Sequence, residues 1–320
     1  MARMLRRLAL MLAACLAAAT PVRGQGYPQK PVSIIVPVAP RVGADVIVRI
    51  LAERLAQRWN QQVVVVNRPG GSGAIGAQAA AMAAPDGHTL YMAVSSGFVV
   101  IPESKSKWPV DLATDFVTIG LISDQPMIVA AAPSLGVNSL SEFIELVKRR
   151  PGEILYGAAR LSVPHLTGEL LNVRAGINMR YIPTMGAAKV MQDILNGNLH
   201  AVTDSVPGIR GAIQNGTVTA LAFTGDKRLA SFPDLPLAAE TLPGFHVKGW
   251  FALMAPAQTP EPVASQIRDD LRATLDDPGL RARYEAIGTF PRPSTLEQTM
   301  AFIKAEQELW RPIVRQIGAD

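Results

Sequence analysis

What this sequence has little of narrows the field before any motif is considered. Its 320 residues include one cysteine, Cys15, and four histidines, His88, His165, His200 and His246. Cys15 lies in an N-terminal segment expected to be removed, so disulfides, thiol catalysis and cysteine metal sites are excluded for the mature chain. No two histidines have the spacing of metal ligands. After the N-terminus the apolar runs are of strand length, as at Met127–Ala132, and none is long enough to span a bilayer. There is no internal repeat and no low-complexity tract.

Net charge is scarce as well. Residues 1–25 read as a secretory signal peptide. Arg3, Arg6 and Arg7 precede an apolar run of twelve residues, Leu8–Ala19, and Pro21 and Val22-Arg23-Gly24 then place the cut near Gly24–Gln25. The alternative, a lipid anchor at Leu12-Ala13-Ala14-Cys15, is disfavoured because the apolar run continues past Cys15. The segment carries four of the 31 basic residues and no acidic one, which leaves 27 basic against 26 acidic groups. That balance gives no support for nucleic acid as a partner.

What is present is a chain rich in proline (25) and glycine (26), 48% hydrophobic, long enough for one large or two medium cores. Its organising stretch is Pro31–Asp45. Val32–Val38 is a continuous β-branched run, the pattern of a buried parallel strand. Pro37, Pro40 and Gly43 break it, and an amphipathic helix over about 44–59 follows. Strand, short loop and helix in an open α/β sheet aim N–H groups and the helix dipole at an anion. The unit repeats: strands at 62–66 and 90–94 with a helix at 74–84 between them. Residues 98–115 read as irregular, with Lys105, Lys107 and Trp108 on a surface loop. Phe116–Ile122 and Met127–Ala132 read as two strands with a polar break, a connection between domains. A second alternation has helices at 140–150, 164–173, 187–196 and up to Gln214, with strands at 154–157, 179–182, 199–203 and 217–223. The last of these strands reads as the return crossing. Ser139 and Glu142 form a capping box. An extended run over 245–255 precedes helices at 261–275, 278–287 and 296–317. The expectation is α/β: two doubly wound sheets joined by a hinge of two crossings, with 26–124 and 225–320 as lobe 1 and 125–224 as lobe 2.

Five loops, after strands ending near Val38, Val66, Val94, Tyr156 and Ile182, face one way if the strands are parallel, and all are small, hydroxylic or glycine-rich. Gly71–Gly76 matches GxGxxG, but it follows the second strand and no acidic residue closes the next one, so nucleotide binding is not supported. Asp45 and Asp204 read either as helix N-terminal residues or as cleft groups. His165, at a helix start after Ser162, reads as a capping or packing residue or as a cleft-wall donor.

The pieces Tyr27-Pro-Gln-Lys-Pro31 with Ile34-Ile35-Val36-Pro37, Gly43-Ala-Asp45, Asn67-Arg-Pro-Gly70, Gly76, Ala84-Pro-Asp-Gly87, His165-Leu with Gly168-Glu169, and Trp250-Phe with Ala255-Pro256 together resemble the Bug-type extracytoplasmic receptors of tripartite tricarboxylate transporters. The resemblance runs from about Tyr27 to the C-terminus. It implies a periplasmic type II Venus-flytrap fold without catalysis or cofactor. Such a protein would be monomeric, closing on a small carboxylate and delivering it to membrane transporter subunits. It also implies that the loop Pro37–Asp45 and the loop before His165 hold the carboxylate, partly through water. The expected ligand-facing residues are Pro37, Ala39, Arg41, Gly43, Asp45, Gly73, Ser95, Ser96, Arg160, Ser162, His165, Thr184 and Asp204. This sequence departs from the family where it matters: Arg41, Val42 and Ala44 replace most of a glycine run, Ala74 replaces an Asn, and Arg160–Pro164 and Thr184–Ala188 replace glycine-rich loops. An arginine can supply bidentate donors where backbone approach is lost, so Arg41, Arg160 or both are expected to pair with ligand carboxylates unless they face solvent. The rivals are a periplasmic hydrolase using Ser72 or Ser95 and a ligand-presenting partner of a signalling system.

Overall fold

The structure, a computed structural model, describes residues 26–103, 108–184 and 186–318. The expected signal segment 1–25 with Cys15, and Lys105, Lys107 and Met185, lie outside the described residues, as does the side chain of Ser72.

The first lobe is built on β1 (Val32–Val36), α1 (Gly43–Trp59), β2 (Val63–Asn67), α2 (Ala74–Ala81), β3 (Thr89–Val94) and a short α3 (Ser95–Val99). β1 lies parallel to β2 and β3, with Val32 opposite Val63 and Ser33 opposite Thr89. Its side chains are buried on both faces except at Ser33, as the β-branched run requires. β4 (Phe116–Ala131) then leads to α4 (Leu140–Arg149), β5 (Leu155–Ala158), α5 (Val163–Ala175), β6 (Arg180–Pro183), α6 (Ala187–Leu195), β7 (Ala201–Ser205), α7 (Val206–Gln214) and β8 (Thr219–Phe223). β5 lies parallel to β6 and β7. A short α8 (Ala238–Thr241), β9 (Lys248–Pro256), α9 (Glu261–Leu275), α10 (Pro278–Ala286), β10 (Phe290–Pro291) and α11 (Leu296–Gln316) complete the chain.

Both lobes share one strand order. The first runs β2-β1-β3-β9-β4 and the second β6-β5-β7-β4-β8. In each, three parallel strands are followed by an antiparallel strand arriving from a crossing and then by a fourth strand. This is the two-lobed fold expected from the sequence.

Two details of the crossings differ from expectation. Phe116–Ile122 and Met127–Ala132 are not separate strands. β4 is continuous over 16 residues. Its backbone stays paired with β9 through the polar stretch, Ser123 opposite Phe251 and Gln125 opposite Gly249. The polarity that read as a break marks side chains at the junction of the lobes, not a loss of ladder. Thr217–Phe223 is also not the return crossing. β8 remains in the second lobe, paired with Ile128–Ala131, and β9 makes the return. Thr224 ties the two passages together: its N–H donates to Met127 O (2.9 Å), and its Oγ1 accepts from Met127 N (2.8 Å) and donates to Val247 O (2.5 Å).

One apolar core lies between the first sheet and α1, α9 and α10, with Ile34, Leu51 and Tyr284 fully buried. A second, around Val202, Ile209 and Phe223, lies under α6 and α7. The third runs from Tyr91 and Phe98 to Phe143 and Leu170 and so joins the lobes. Trp250 sits in it, fully buried, its ring 5.1 Å from that of Phe98 and its Nε1 donating to Glu306 Oε2 at 2.9 Å.

Candidate functional site

The chain leaves β1 at Pro37 and reaches α1 through a loop whose turn is made by Arg41 at φ 69°. A non-glycine residue in this region is strained and needs holding. The holder is Asp45, in the first turn of α1. Its Oδ2 accepts from Arg41 N (2.8 Å) and Arg49 Nε (2.9 Å), and its Oδ1 from Asn67 Nδ2 (2.8 Å). The same Asn67 amide donates to Val38 O at 3.0 Å, so the end of β2 fixes both sides of the loop. Burial alone would raise the Asp45 carboxyl, but the bonds from Arg49, Arg41 N and Asn67 hold it below the ordinary carboxylate range.

In the second lobe the loop after β5 turns through Leu161 at φ 58°. Here the holder is His165, in the first turn of α5, whose Nδ1 accepts from Leu161 N at 3.0 Å. Its ring stacks on Tyr181 with centroids 3.8 Å apart. Burial, and to a smaller extent the Arg160 charge, push its pKa down to about 4, so it is neutral, with its proton on Nε2. Ser162 caps α5: its Oγ accepts from His165 N at 3.4 Å and donates to Ala159 O at 2.7 Å.

Between these loops is a cleft of about 790 Å³. The first lobe contributes Pro37 and Val38, the turn at Gly70–Ala74, and Ser95 and Ser96. The second contributes Ala159–Pro164 with Asp204 and Ser205, and the crossings supply Gln125, Met127, Gly249 and Phe251. The loops leave the carboxyl ends of β1, β2, β3, β5 and β7, the usual place for a ligand in such sheets. The N-terminal residues Ala44 of α1 and Val163 of α5 also face it, so two long helices direct their positive ends inward.

Of the thirteen residues singled out from the sequence, Pro37, Gly73, Ser95, Ser96, Arg160, Ser162 and Asp204 line this cleft and Ala39, Arg41, Gly43, Asp45, His165 and Thr184 do not. Ala39 and Arg41 are exposed. Gly43 faces Gln125 and Pro207 across the lobe junction. Asp45 and His165 stand behind the lining, holding the loops. Thr184 is buried, its Oγ1 donating to Ile182 O at 3.1 Å. Arg160 lines the cleft, yet its Nη2 donates to Gly318 O at 2.8 Å, so it reaches the end of α11 across the lobes. Asp204 is half-buried, and desolvation pushes its carboxyl up to about 6 despite the Ser205 N–H donating to it at 2.6 Å.

Residues that the sequence did not single out are Gln125, Met127, Phe251 and Trp108. Trp108 is not on an outer loop. Its six-membered ring edge lies 3.2 Å from where a Cβ of Gly73 would stand and 3.4 Å from one on Gly97. Gly97, between a strand end and an aromatic eleven residues on, was the available signal. The GxGxxG glycines have a packing role: a Cβ on Gly76 would stand 3.0 Å from Arg68 O and 3.2 Å from Pro37 Cα.

Residues 47–319 match the family described as tripartite tricarboxylate transporter family receptor. The chain belongs to this family. Protein BugT of Bordetella pertussis is 34% identical over 304 residues, covering 94% of this chain and 93% of BugT. Among solved structures, R. palustris Rpa4515 with adipate superposes with a TM-score of 0.82 at 27% identity, covering 91% of this chain and 98% of that one. MatC from Rhodopseudomonas palustris with bound malate gives 0.75 at 26% identity, covering 90% and 100%. The protein is thus a solute-binding receptor and not an enzyme. His88 bonds Asp86 and Gln29, His165 Leu161, His200 Leu155 and His246 Asp226, and none is bonded to Ser95. Among the described residues no helix is long and apolar enough to cross a membrane.

Proposed function

We propose that this receptor captures a small organic acid between its lobes in the periplasm and hands it to the membrane subunits of a tripartite tricarboxylate-type transporter. The observation that carries this is a single cleft lined by loops of both lobes and by both crossings, with two helix N-termini opening on it. An anion seated there touches both lobes at once, so it favours the closed arrangement over the open one by its differential contacts. The relatives with adipate and with malate support the choice of a carboxylate.

In this reading 26–124 with 225–320 form one lobe, 125–224 the other, and residues 1–25 direct export. Pro37, Gly73, Ser95, Ser96, Arg160, Ser162 and Asp204 face the ligand. Asp45 and His165 position the loops that do, with Ala39, Arg41, Gly43 and Thr184 in supporting places. The protein acts as a monomer. The test is a thermal-shift screen of the mature protein over carboxylates, adipate and malate included, followed by small-angle scattering. A bound acid raises the melting temperature because it binds the native state alone, and it contracts the scattering profile. A melting shift with an unchanged profile would remove the closure mechanism. No shift with any carboxylate would remove the ligand class.

A further inference from the structure

Two arginines of the second lobe end on backbone carbonyls of the first. Arg160, in the loop before α5, donates from Nη2 to Gly318 O at 2.8 Å. Arg210, half-buried on α7, donates from Nη2 to Ala286 O at 2.6 Å. Both carbonyls stand at the C-terminal end of a helix, Gly318 just past α11 and Ala286 at the last residue of α10. At the end of α10 the following amides turn elsewhere. Ile287 N and Thr289 N donate to Tyr284 O, and Gly288 N donates to Glu285 O, which leaves Ala286 O to the guanidinium. The helix dipole favours a cation at such an end, and the hydrogen bond is charge-assisted.

Both helices are fastened to the first lobe. α10 is tied to α1, with Tyr284 Oη donating to Ile47 O at 2.9 Å and Arg283 pairing with Glu53 at 2.8 Å. α11 is tied to α3 and the turn after it. Gln307 Nε2 donates to Phe98 O at 3.1 Å, and Arg311 and Arg315 take the two oxygens of Glu103 at 2.7 and 2.8 Å. α11 also packs against α5 of the second lobe, and Arg160 adds a polar bond to that contact. Beside Arg210 the lobes press together: a Cβ on Gly288 would stand 2.5 Å from Val206 Cβ, so the turn after α10 bears directly on the start of α7. Each arginine therefore spans the lobes, and neither bond needs a group in the cleft.

We infer that Arg160 and Arg210 are interlobe latches, positioning residues that draw the two lobes together by gripping the C-terminal ends of α11 and α10. This rests on the two-lobed receptor reading. The latches bias the equilibrium between open and closed arrangements before any ligand arrives. A ligand that needs the closed form then binds with higher apparent affinity, because a larger fraction of the protein is already competent. Arg160 thus acts on the arrangement of the lobes through Gly318 O, a role distinct from the carboxylate partner expected of it.

The test is small-angle scattering of the mature protein, dialysed free of small molecules, with each profile fitted as a mixture of open and closed forms. Arg160→Ala and Arg210→Ala are each expected to raise the ratio of open to closed by about tenfold, the equivalent of one charge-assisted hydrogen bond. The double variant is expected to expand further than either. Arg160→Lys and Arg210→Lys keep a cation that donates to a carbonyl, so their profiles should fall between wild type and the alanine variants. Arg174→Ala removes the same charge from an exposed position of α5 and should scatter as wild type does. A double variant whose profile matches wild type overturns the inference, as does an equal expansion in Arg174→Ala. A lowered melting temperature without expansion also overturns it, since that is the mark of a merely structural role. No ligand enters these measurements, so their failure leaves the carboxylate reading to be decided by its own screen.

Discussion

In the first lobe the chain turns out of β1 through Arg41 at φ 69°, and a side chain four residues later, Asp45, accepts the Arg41 N–H. In the second lobe it turns out of β5 through Leu161 at φ 58°, and a side chain four residues later, His165, accepts the Leu161 N–H. The two strands hold equivalent places in the shared strand order. The jaws thus use one geometric device with different chemistry. The first uses an ionised carboxylate tied into Arg49 and Asn67, the second a neutral imidazole stacked on Tyr181. A left-handed turn made by a non-glycine residue is kept only where the surroundings over-determine it. Each lobe has met that need with whatever acceptor its neighbours stabilise: a cation for Asp45, an apolar aromatic stack for His165.

The largest expected effect that bears on this comparison is Asp45→Ala. It leaves the Arg41 N–H, Arg49 and Asn67 without their common acceptor and should cost about 2–3 kcal/mol in chemical denaturation, with ligand affinity lost as the loop loosens. His165→Ala removes a neutral acceptor and the stack, and is expected to cost about 1–3 kcal/mol. The two jaws also part in their response to acid. His165 has a folded pKa near 4, below its unfolded value of 6.5. Its contribution is complete above 6.5 and is lost as pH falls toward 4, because the unfolded chain binds the proton more readily. Asp45 is held low and keeps its charge in that window. The protection of the Leu161 amide, its exchange measured relative to the intrinsic rate at each pH, should therefore fall between pH 6.5 and 4 while that of Arg41 does not. Equal behaviour of the two amides would end the comparison.

Asp204→Asn acts in the opposite direction. Its folded pKa, near 6, exceeds the ordinary value of 3.8, so the unliganded fold loses stability as pH rises from about 4 to 6. The amide should raise unliganded stability at pH 8, by on the order of 1 kcal/mol after solvent screening, with each pKa unit worth about 1.4, and the difference should vanish near pH 4. The smallest effects belong to Arg41→Gly and Leu161→Gly. Relief of the positive φ is offset by the greater freedom of glycine in the unfolded chain, so each should change stability by less than about 1 kcal/mol. A loss of several kcal/mol from Arg41→Gly would show that its side chain, and not its turn, matters.

Much of the frame was legible because it is written locally. Val32–Val36 is a strand since its β-branched side chains bury on both faces. α4 starts at Leu140 since Ser139 Oγ accepts from Glu142 N (3.2 Å), although the Glu142 carboxylate reaches Asn138 N and not Ser139 N. α9 spans Glu261–Leu275 as expected. The continuity of β4 was not legible, because Ser123, Asp124 and Gln125 are polar and only pairing with β9 reveals that their backbone never leaves the sheet. Gln125 was missed for the same reason: a glutamine in a polar stretch carries no local mark of facing a cleft.

The sequence by itself determined the strand–loop–helix units, their order, the two-lobed plan and four of the loops that meet at one edge, those after β1, β2, β3 and β5, because periodicity, turn residues and caps act within a few positions; the expected fifth, after β6, gives way to the one after β7. Only the tertiary structure decided which side chains of those loops face the cleft between the lobes. Asp45 turns away because Asn67, 22 positions on, draws its carboxylate inward. His165 turns away because Tyr181 offers its ring a face, and Arg160 is drawn to a carbonyl at Gly318, 158 positions on. A side chain's direction is set by the partner that best satisfies it, and such partners are brought within reach only by the fold.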